Sequence, residues 1–225
     1  MAHPKPKPTL ASLLDTLLPT VHLTKPPPHP THPSLTPVIS SLLLHPTIEA
    51  ALHLLNADLP SAHFLVRHMQ APPAIEGMLL HSILHRSEGD MPNARAWASD
   101  AMDASDGWVP KHKGAERLDF NTVQAMKGKV AGGKRFAEFV YGGNKAGAER
   151  LIEDVERWRK EKGAEGEEEL AARIQGELEK VLEWCRKKFG EGQWADARAA
   201  WVKHGEEVRK MGEDMVSGDK GFRDF

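Results

Sequence analysis

Cysteine, tyrosine and long apolar runs are scarce in this chain of 225 residues. The single cysteine, Cys185, excludes an internal disulfide, which fits a reducing compartment. The apolar run from Leu10 to Leu18 is short and carries Asp15, and no segment approaches the ~20 apolar residues that a membrane span needs. We therefore expect an intracellular, cytoplasmic protein with no membrane partner.

A large net charge is also absent. The formal net charge is −2 and the isoelectric point is about 6.6, so no global field would recruit nucleic acid or an anionic membrane. Runs of alternating β-branched residues are missing as well, whereas apolar residues recur at helical spacing from residue 37 onward. These patterns predict an all-α fold and give no evidence of specific nucleic-acid binding.

The prolines divide the chain unevenly, because ten of the sixteen occur by Pro37. Residues 9–18 predict a short helix that is capped by Thr9 and stopped by Pro19. Lys25–Pro33 predicts an extended polyproline II segment, which serves either as a spacer or as a ligand for a proline-reading domain. The predicted organisation is a Pro-rich arm with one short helix (1–36), a helical domain (37–216) and a C-terminal tail (217–225).

Within the helical domain, apolar periodicity and capping residues predict ten helices. They are expected at about 37–44, 47–57, 60–70, 74–88, 91–104, 119–130, 133–141, 144–162, 166–189 and 193–216.

A short motif repeats inside this domain. Asp58-Leu-Pro-Ser-Ala62 matches Asp90-Met-Pro-Asn-Ala94 at an offset of 32 residues, a further copy lies at 191–199, and a weaker one at 143–148. Each copy has a small residue, then four positions, then an alanine, which suits a tight turn between two antiparallel helices that approach closely. We expect Ala62, Ala94 and Ala197 at close helix crossings.

This spacing resembles the tetratricopeptide (TPR) hairpin, whose repeats have a period of about 34 residues. The resemblance implies stacked, irregular antiparallel hairpins over residues 47–104 and 181–204, and a groove that takes a protein or peptide partner. The string from His81 to Trp97, His-x3-His-Arg-x-Glu-Gly-Asp-x2-Asn-Ala-x2-Trp, also resembles a family of uncharacterised fungal and bacterial proteins. The first functional hypothesis is therefore an interaction or scaffold protein.

The second hypothesis is a metal-binding protein or a small metal-dependent enzyme. His81 and His85 lie one helical turn apart, so both rings can reach one ion, and Glu49 and His53 repeat that spacing one hairpin earlier. With Glu88, they form a histidine and carboxylate set that suits Fe, Zn, Mn or Ni. The alternative is that these are structural histidines in a His-rich region. Further candidate ligands are Glu76, His63 and His68.

Four residues around the same helix pair are predicted to have supporting roles. Asp90 is expected to cap the helix that begins near Met91, and Arg86 to pair with Glu88, Asp90 or the last carbonyls of the preceding helix. Either carboxylate could also orient a histidine ring through its second nitrogen. Asn93 and Trp97 complete this set of structural or supporting residues.

Residues 128–135 spell Gly-x4-Gly-Lys-Arg, which resembles a phosphate-binding P-loop. Arg135 stands where that motif has Ser or Thr, and no strand is predicted before it, so a basic loop between helices is the alternative. In either case an anion could bind the loop amides and its cations, which are Lys127, Lys129, Lys134 and Arg135.

Overall fold

A computed structural model describes residues 8–143, 146–162 and 165–202. Across these residues the chain forms ten α-helices and no β-strand, which confirms the all-α prediction. None of these helices is both long and apolar enough to span a bilayer. The helices are α1 (Leu10–Leu17), α2 (Thr36–Ser41), α3 (Pro46–Leu55), α4 (Leu59–Val66), α5 (Ile75–Glu88), α6 (Met91–Ser105), α7 (Phe120–Met126), α8 (Phe136–Tyr141), α9 (Gly147–Lys160) and α10 (Glu167–Phe189).

Two helical hairpins, α3–α4 and α5–α6, occupy the centre of the fold, and α4 also packs on α5. The repeated motif lies at the turn of each hairpin, as predicted. Asp58 caps α4 by accepting a hydrogen bond from the Ser61 amide at 3.3 Å, and Asp90 caps α6 through the Asn93 amide at 3.2 Å. Gly89 ends α5 with a φ of 100°, a left-handed conformation that favours glycine.

The repeat alanines bring the helices of each hairpin together. Ala62 and Ala94 are completely buried. Across the α5–α6 crossing, the Ser82 hydroxyl donates a hydrogen bond of 2.7 Å to the carbonyl oxygen of Ala94. The burial of both alanines, and for Ala94 the contact across the crossing, agree with the predicted positions, and a larger side chain there would be expected to separate the backbones.

The long helix α10 packs against α3, α8 and α9 and so joins the early and late parts of the chain. Its buried face presents Trp184, whose indole nitrogen donates a 2.7 Å hydrogen bond to buried Glu76 of α5. Lys188 donates to the same carboxylate oxygen at 2.7 Å. The Glu76 carboxylate is thereby satisfied within the core, where an unpaired charge would be costly.

The Pro-rich arm packs against the helical domain. Capped by Thr9 as predicted, α1 buries Leu10, Leu13 and Leu17 in the common core. Further along the arm, Asn56 bonds both backbone groups of His32, at 2.9 Å to its amide and 3.1 Å to its carbonyl. The Lys25–Pro33 stretch is therefore held against the domain at its C-terminal end.

The predicted ends of two helices near the basic loop are wrong, and the packing explains the difference. Instead of continuing to residue 130, α7 ends at Met126, because the backbone becomes extended at Lys127 and brings Gly128 against the Trp184 ring. A β-carbon at Gly128 would lie 2.6 Å from that ring. Gly132 has a φ of 79° and the backbone is extended at Arg135, so α8 starts at Phe136 and not near residue 133.

The motif copy at 191–199 does not form a hairpin within the described residues. A short 3₁₀ helix, Ala197–Ala200, replaces the start of the helix predicted at 193–216, and residues 203–216 lie outside the described residues. Ala197 is only partly buried, so the prediction of a close crossing there is wrong. The copy at 143–148 includes positions 144 and 145, which are also outside the described residues.

Candidate metal centre

Three histidine side chains converge where α4 packs on α5. His81 and His85 are stacked one turn apart on α5, with ring centroids 4.8 Å apart and planes inclined by 16°. His63 of α4 approaches both, with its centroid 5.2 Å from that of His81 and 5.7 Å from that of His85. One nitrogen from each ring lies within 4.8 Å of the other two, so the three residues can be ligands of one ion.

The three rings differ in exposure. His81 is 2% exposed and its Nδ1 has no hydrogen-bond partner, while His63 is partly exposed. Burial, together with the neighbouring His85 and His63, lowers the pKa of His81 to about 3. Burial, followed by the charges of His85 and Arg67, also lowers the pKa of His63, although the Glu88 carboxylate opposes this shift. Neutral imidazole is the form that binds metal ions.

Two carboxylates border the His85 side of the cluster. Glu88 Oε2 lies 3.2 Å from His85 Nδ1, and Asp90 Oδ2 lies 3.9 Å from the same nitrogen. The Glu88 contact has the distance of an ion pair but not the angle of a hydrogen bond, since His85 Nδ1 has no hydrogen-bond partner. Glu88 lies against the ring of His85, a position that suits a residue that orients a ligand ring.

Trp97 supports the cluster from α6. Its indole stacks on the His81 ring with a centroid distance of 4.3 Å and an interplanar angle of 18°. The His81 ring therefore lies between Trp97 and His85, and this packing restricts its rotation. The prediction that Trp97 supports the histidines agrees with this contact.

Glu49 and His53 lie apart from the three histidines. His53 Nε2 is 3.8 Å from Glu49 and its Nδ1 is 3.3 Å from Asp58, and Ser40 Oγ also lies 3.4 Å from Nε2. These residues form a local polar cluster at the start of the first hairpin. Equivalent positions on successive hairpins thus point alongside one another. The Glu49 and His53 side chains therefore do not complete a site with His81 and His85.

Arg86 does not pair with Glu88, Asp90 or the end of the preceding helix, so that prediction is wrong. Its guanidinium is 1% exposed and forms a bidentate ion pair with Glu177 of α10. Because α5 is buried on several sides, polar residues that are close in its sequence face different helices. Asn93 remains at the turn, where its side-chain amide donates a 2.6 Å hydrogen bond to Asp90.

The remaining candidate ligands have other partners or positions. Glu76 is bonded to Trp184 and Lys188, and His68 packs its ring 4.5 Å from that of Trp201. His63, which the sequence offered only as a further candidate, proves to be the third member of the cluster. The sequence did contain a signal for the role of His63, because α4 and α5 are consecutive helices, and consecutive antiparallel helices place facing side chains together.

The basic side chains of residues 128–135 lie in two different environments. Lys134 and Arg135 line a cavity that α7 also borders, whereas Lys129 is exposed and does not contribute to its wall. Arg135 is paired with Asp106 at 2.9 Å. No strand precedes the loop among the described residues, so the context of a P-loop is absent there.

No family model, curated protein or solved structure matches this chain. The likeness to TPR hairpins and to the uncharacterised family therefore remains a prediction, and functional arguments depend on the geometry of the chain itself.

Proposed function

We propose that this protein binds a divalent transition-metal ion through His63, His81 and His85. The observation that carries the proposal is the convergence of three imidazole nitrogens within 4.8 Å of one another on two adjacent helices. The buried and unpartnered Nδ1 of His81 supports it, because a buried polar atom without a partner is costly unless something binds there.

An ion bound here would draw the three nitrogens closer together than they lie in the structure. Zinc–nitrogen bonds of about 2.0–2.1 Å in tetrahedral geometry place ligand nitrogens roughly 3.3 Å apart. His81 and His85 are fixed on one helix, and Trp97 restricts the His81 ring. The partly exposed His63 supplies the freedom to complete the site by rotating its side chain.

Three protein ligands leave a further coordination position open, which is the arrangement of catalytic rather than structural zinc sites. The half-exposed Glu88 carboxylate lies beside His85, where it would orient that ring or serve as a proton acceptor if a metal ion supplied Lewis-acid chemistry there. The proposed metal centre thus has the components of a Lewis-acid site.

The test uses the purified, untagged full chain. We expect near-stoichiometric metal by elemental mass spectrometry, and visible absorption bands after Co²⁺ replaces it. His81→Phe should abolish both signals, because phenylalanine can keep the stack with Trp97 but offers no ligand nitrogen.

His112→Ala is the matched control, since His112 is exposed and pairs with Glu116 away from the cluster. It should leave metal content unchanged. A folded wild-type protein that neither carries metal nor takes up Zn²⁺ or Co²⁺ at micromolar concentration would contradict the proposal.

A second candidate function is protein or peptide binding by the helical hairpins. It is favoured by Phe64, which is 55% exposed on α4 and carries the Arg67 guanidinium 4.9 Å above its ring. Aromatic residues and arginine are enriched in interfaces. If this surface binds a partner, Phe64→Asp should weaken the complex while His81→Phe preserves it, and the reverse result would assign the partner to the metal centre.

A further inference from the structure

A second site lies away from the histidines, in a cavity of about 580 Å³ between α7, α8 and α10. Its volume is within the range of pockets that take small molecules. The cavity combines an apolar interior with a basic rim, and we call it the basic-rim cavity. Its interior residues include Ile75, Val123, Met126, Phe136 and Trp184.

The interior of the basic-rim cavity is preformed by core packing. Ile75, Phe136 and Trp184 are each at most 1% exposed, so their positions are fixed by the surrounding helices. Gly128 packs directly on the Trp184 ring and holds the loop against this wall. Phe120, by contrast, is 74% exposed at the edge of the cavity. The Phe120 ring therefore adds accessible apolar surface to the wall of the cavity.

The cations of the rim are not equivalent. Arg135 is paired with Asp106, and Arg117 donates to the Asp106 carbonyl oxygen at 3.0 Å while its guanidinium covers Trp108. Lys127 and Lys134 line the same cavity, and neither forms an ion pair with any residue that the structure describes. Within the described part of the chain, these two ammonium groups at the mouth of the cavity have no carboxylate at ion-pair distance.

We infer that the basic-rim cavity binds an organic anion that has an apolar body and one anionic head group. The body would contact the accessible faces of Leu118, Phe120 and Val123, and the head group would be held by Lys127 and Lys134. Charge complementarity selects an anion over a neutral or cationic ligand. The apolar interior selects an alkyl or aromatic body over inorganic phosphate, because burial of apolar surface supplies the main part of the binding free energy.

The first measurement is fluorescence titration of the full chain with anilinonaphthalene sulfonate, an apolar anion, and with the uncharged probe N-phenyl-1-naphthylamine. We expect saturable binding of the anion and weaker binding of the neutral probe. Displacement by decanoate but not decanol, or by 2-naphthoate but not 2-naphthamide, would then distinguish an alkyl from an aromatic body.

Three variants locate the site. The double variant Lys127→Glu/Lys134→Glu should weaken anion binding about tenfold or more, since it replaces the two positive charges at the mouth of the cavity with negative ones. Lys129→Glu makes the same type of charge change at an exposed lysine of the same loop that does not line the cavity, and should change the Kd less than about twofold. Val123→Phe should reduce binding by filling the cavity.

Equal weakening by Lys129→Glu and the double variant would overturn the inference, because it would indicate a diffuse charge effect. Binding of the neutral probe as tightly as the anion would overturn it as well. Circular dichroism of each variant establishes that it is folded. If the double variant is unfolded, the comparison of Val123→Phe with wild type still decides whether the ligand occupies this cavity.

Discussion

Arg86 of α5 and Glu177 of α10 lie 91 residues apart in the sequence and form an ion pair in the core. The Tyr141 hydroxyl adds a hydrogen bond of 2.5 Å to the same carboxylate. Burial, together with the adjacent negative charge of Glu177, raises the pKa of Tyr141 well above its usual value, which keeps this phenol protonated as a donor. The pair connects the second hairpin to the last long helix.

Removal of one member of this pair should be costly. Glu177→Ala leaves the Arg86 charge buried without a partner, and we expect a loss of about 3–5 kcal/mol in the free energy of unfolding. Urea denaturation measures it. Glu179→Ala is the control, because Glu179 is exposed on the same helix, and it should cost less than about 1 kcal/mol. The apolar triple variant Arg86→Met/Tyr141→Phe/Glu177→Leu, which also removes the hydroxyl that donates to Glu177, should recover most of the loss, and failure to do so would argue against desolvation as its cause.

The crossing of α5 and α6 should not accept a larger side chain at Ala94. Ala94→Leu would push against Ser82, whose hydroxyl bonds the Ala94 carbonyl at 2.7 Å. Overpacking of this kind costs about 1–3 kcal/mol, so the melting temperature should fall. Ala96→Leu, on the exposed face of the same helix, should leave it nearly unchanged. Equal melting temperatures for both variants would place the crossing elsewhere.

Replacement by alanine should change the free energy of unfolding in opposite directions at two helical glycines. A β-carbon at Gly77 would lie 2.9 Å from the Met69 carbonyl oxygen and closer still to the Met69 β-carbon, whereas one at Gly176 meets nothing within 4 Å. Gly77→Ala should therefore destabilise the fold by about 1–3 kcal/mol. Gly176→Ala should stabilise it by roughly 0.5–1 kcal/mol, because it lowers the entropy of the unfolded chain. Thermal melts of the two variants test both signs.

His45 should make the fold sensitive to acid. Its ring is stacked 3.5 Å from Phe189 and accepts a hydrogen bond from the Thr47 amide, with Trp194 against its edge. Burial, and then the nearby Lys188 charge, lowers the pKa of His45 from 6.5 to about 3. Because the folded state disfavours the proton, this contribution to stability is complete above pH 6.5 and is lost as the pH falls from 6.5 towards 3.

The His45→Asn variant isolates this effect, since asparagine can still cap α3 but does not titrate. Between pH 7 and pH 5, the wild-type protein should lose more unfolding free energy than the variant. Denaturation at both pH values gives the comparison. An equal loss in both proteins would assign the acid sensitivity to other groups, such as His81.

Trp97 should report on the proposed metal centre because its ring stacks on His81. Binding of paramagnetic Co²⁺ should quench part of the tryptophan fluorescence in the wild-type protein. Trp97→Phe should remove most of that quenching while Co²⁺ absorption persists. Quenching that is undiminished in the variant would locate the ion near another tryptophan.

Local features of this protein could be predicted from sequence, whereas pairings between distant elements could not. The caps at Asp58 and Asp90 depend on residues within one turn, and so does the spacing of His81 and His85. The Arg86–Glu177 pair depends on how α10 crosses α5, for which neither residue carries a local signal. The end of α7 was missed for the same reason, since the position of Gly128 is set by contact with Trp184, 56 residues later.

Two charges buried on α5 depend on α10 for their partners: Arg86 on Glu177, and Glu76 on Lys188. A chain synthesised only as far as α9 contains both hairpins but leaves these charges without their counterions. We therefore expect α5 to be stable in its buried position only when α10 is present. A repeat array tolerates the loss of a terminal unit, but this chain should lose its cooperative fold when it is shortened by its last long helix.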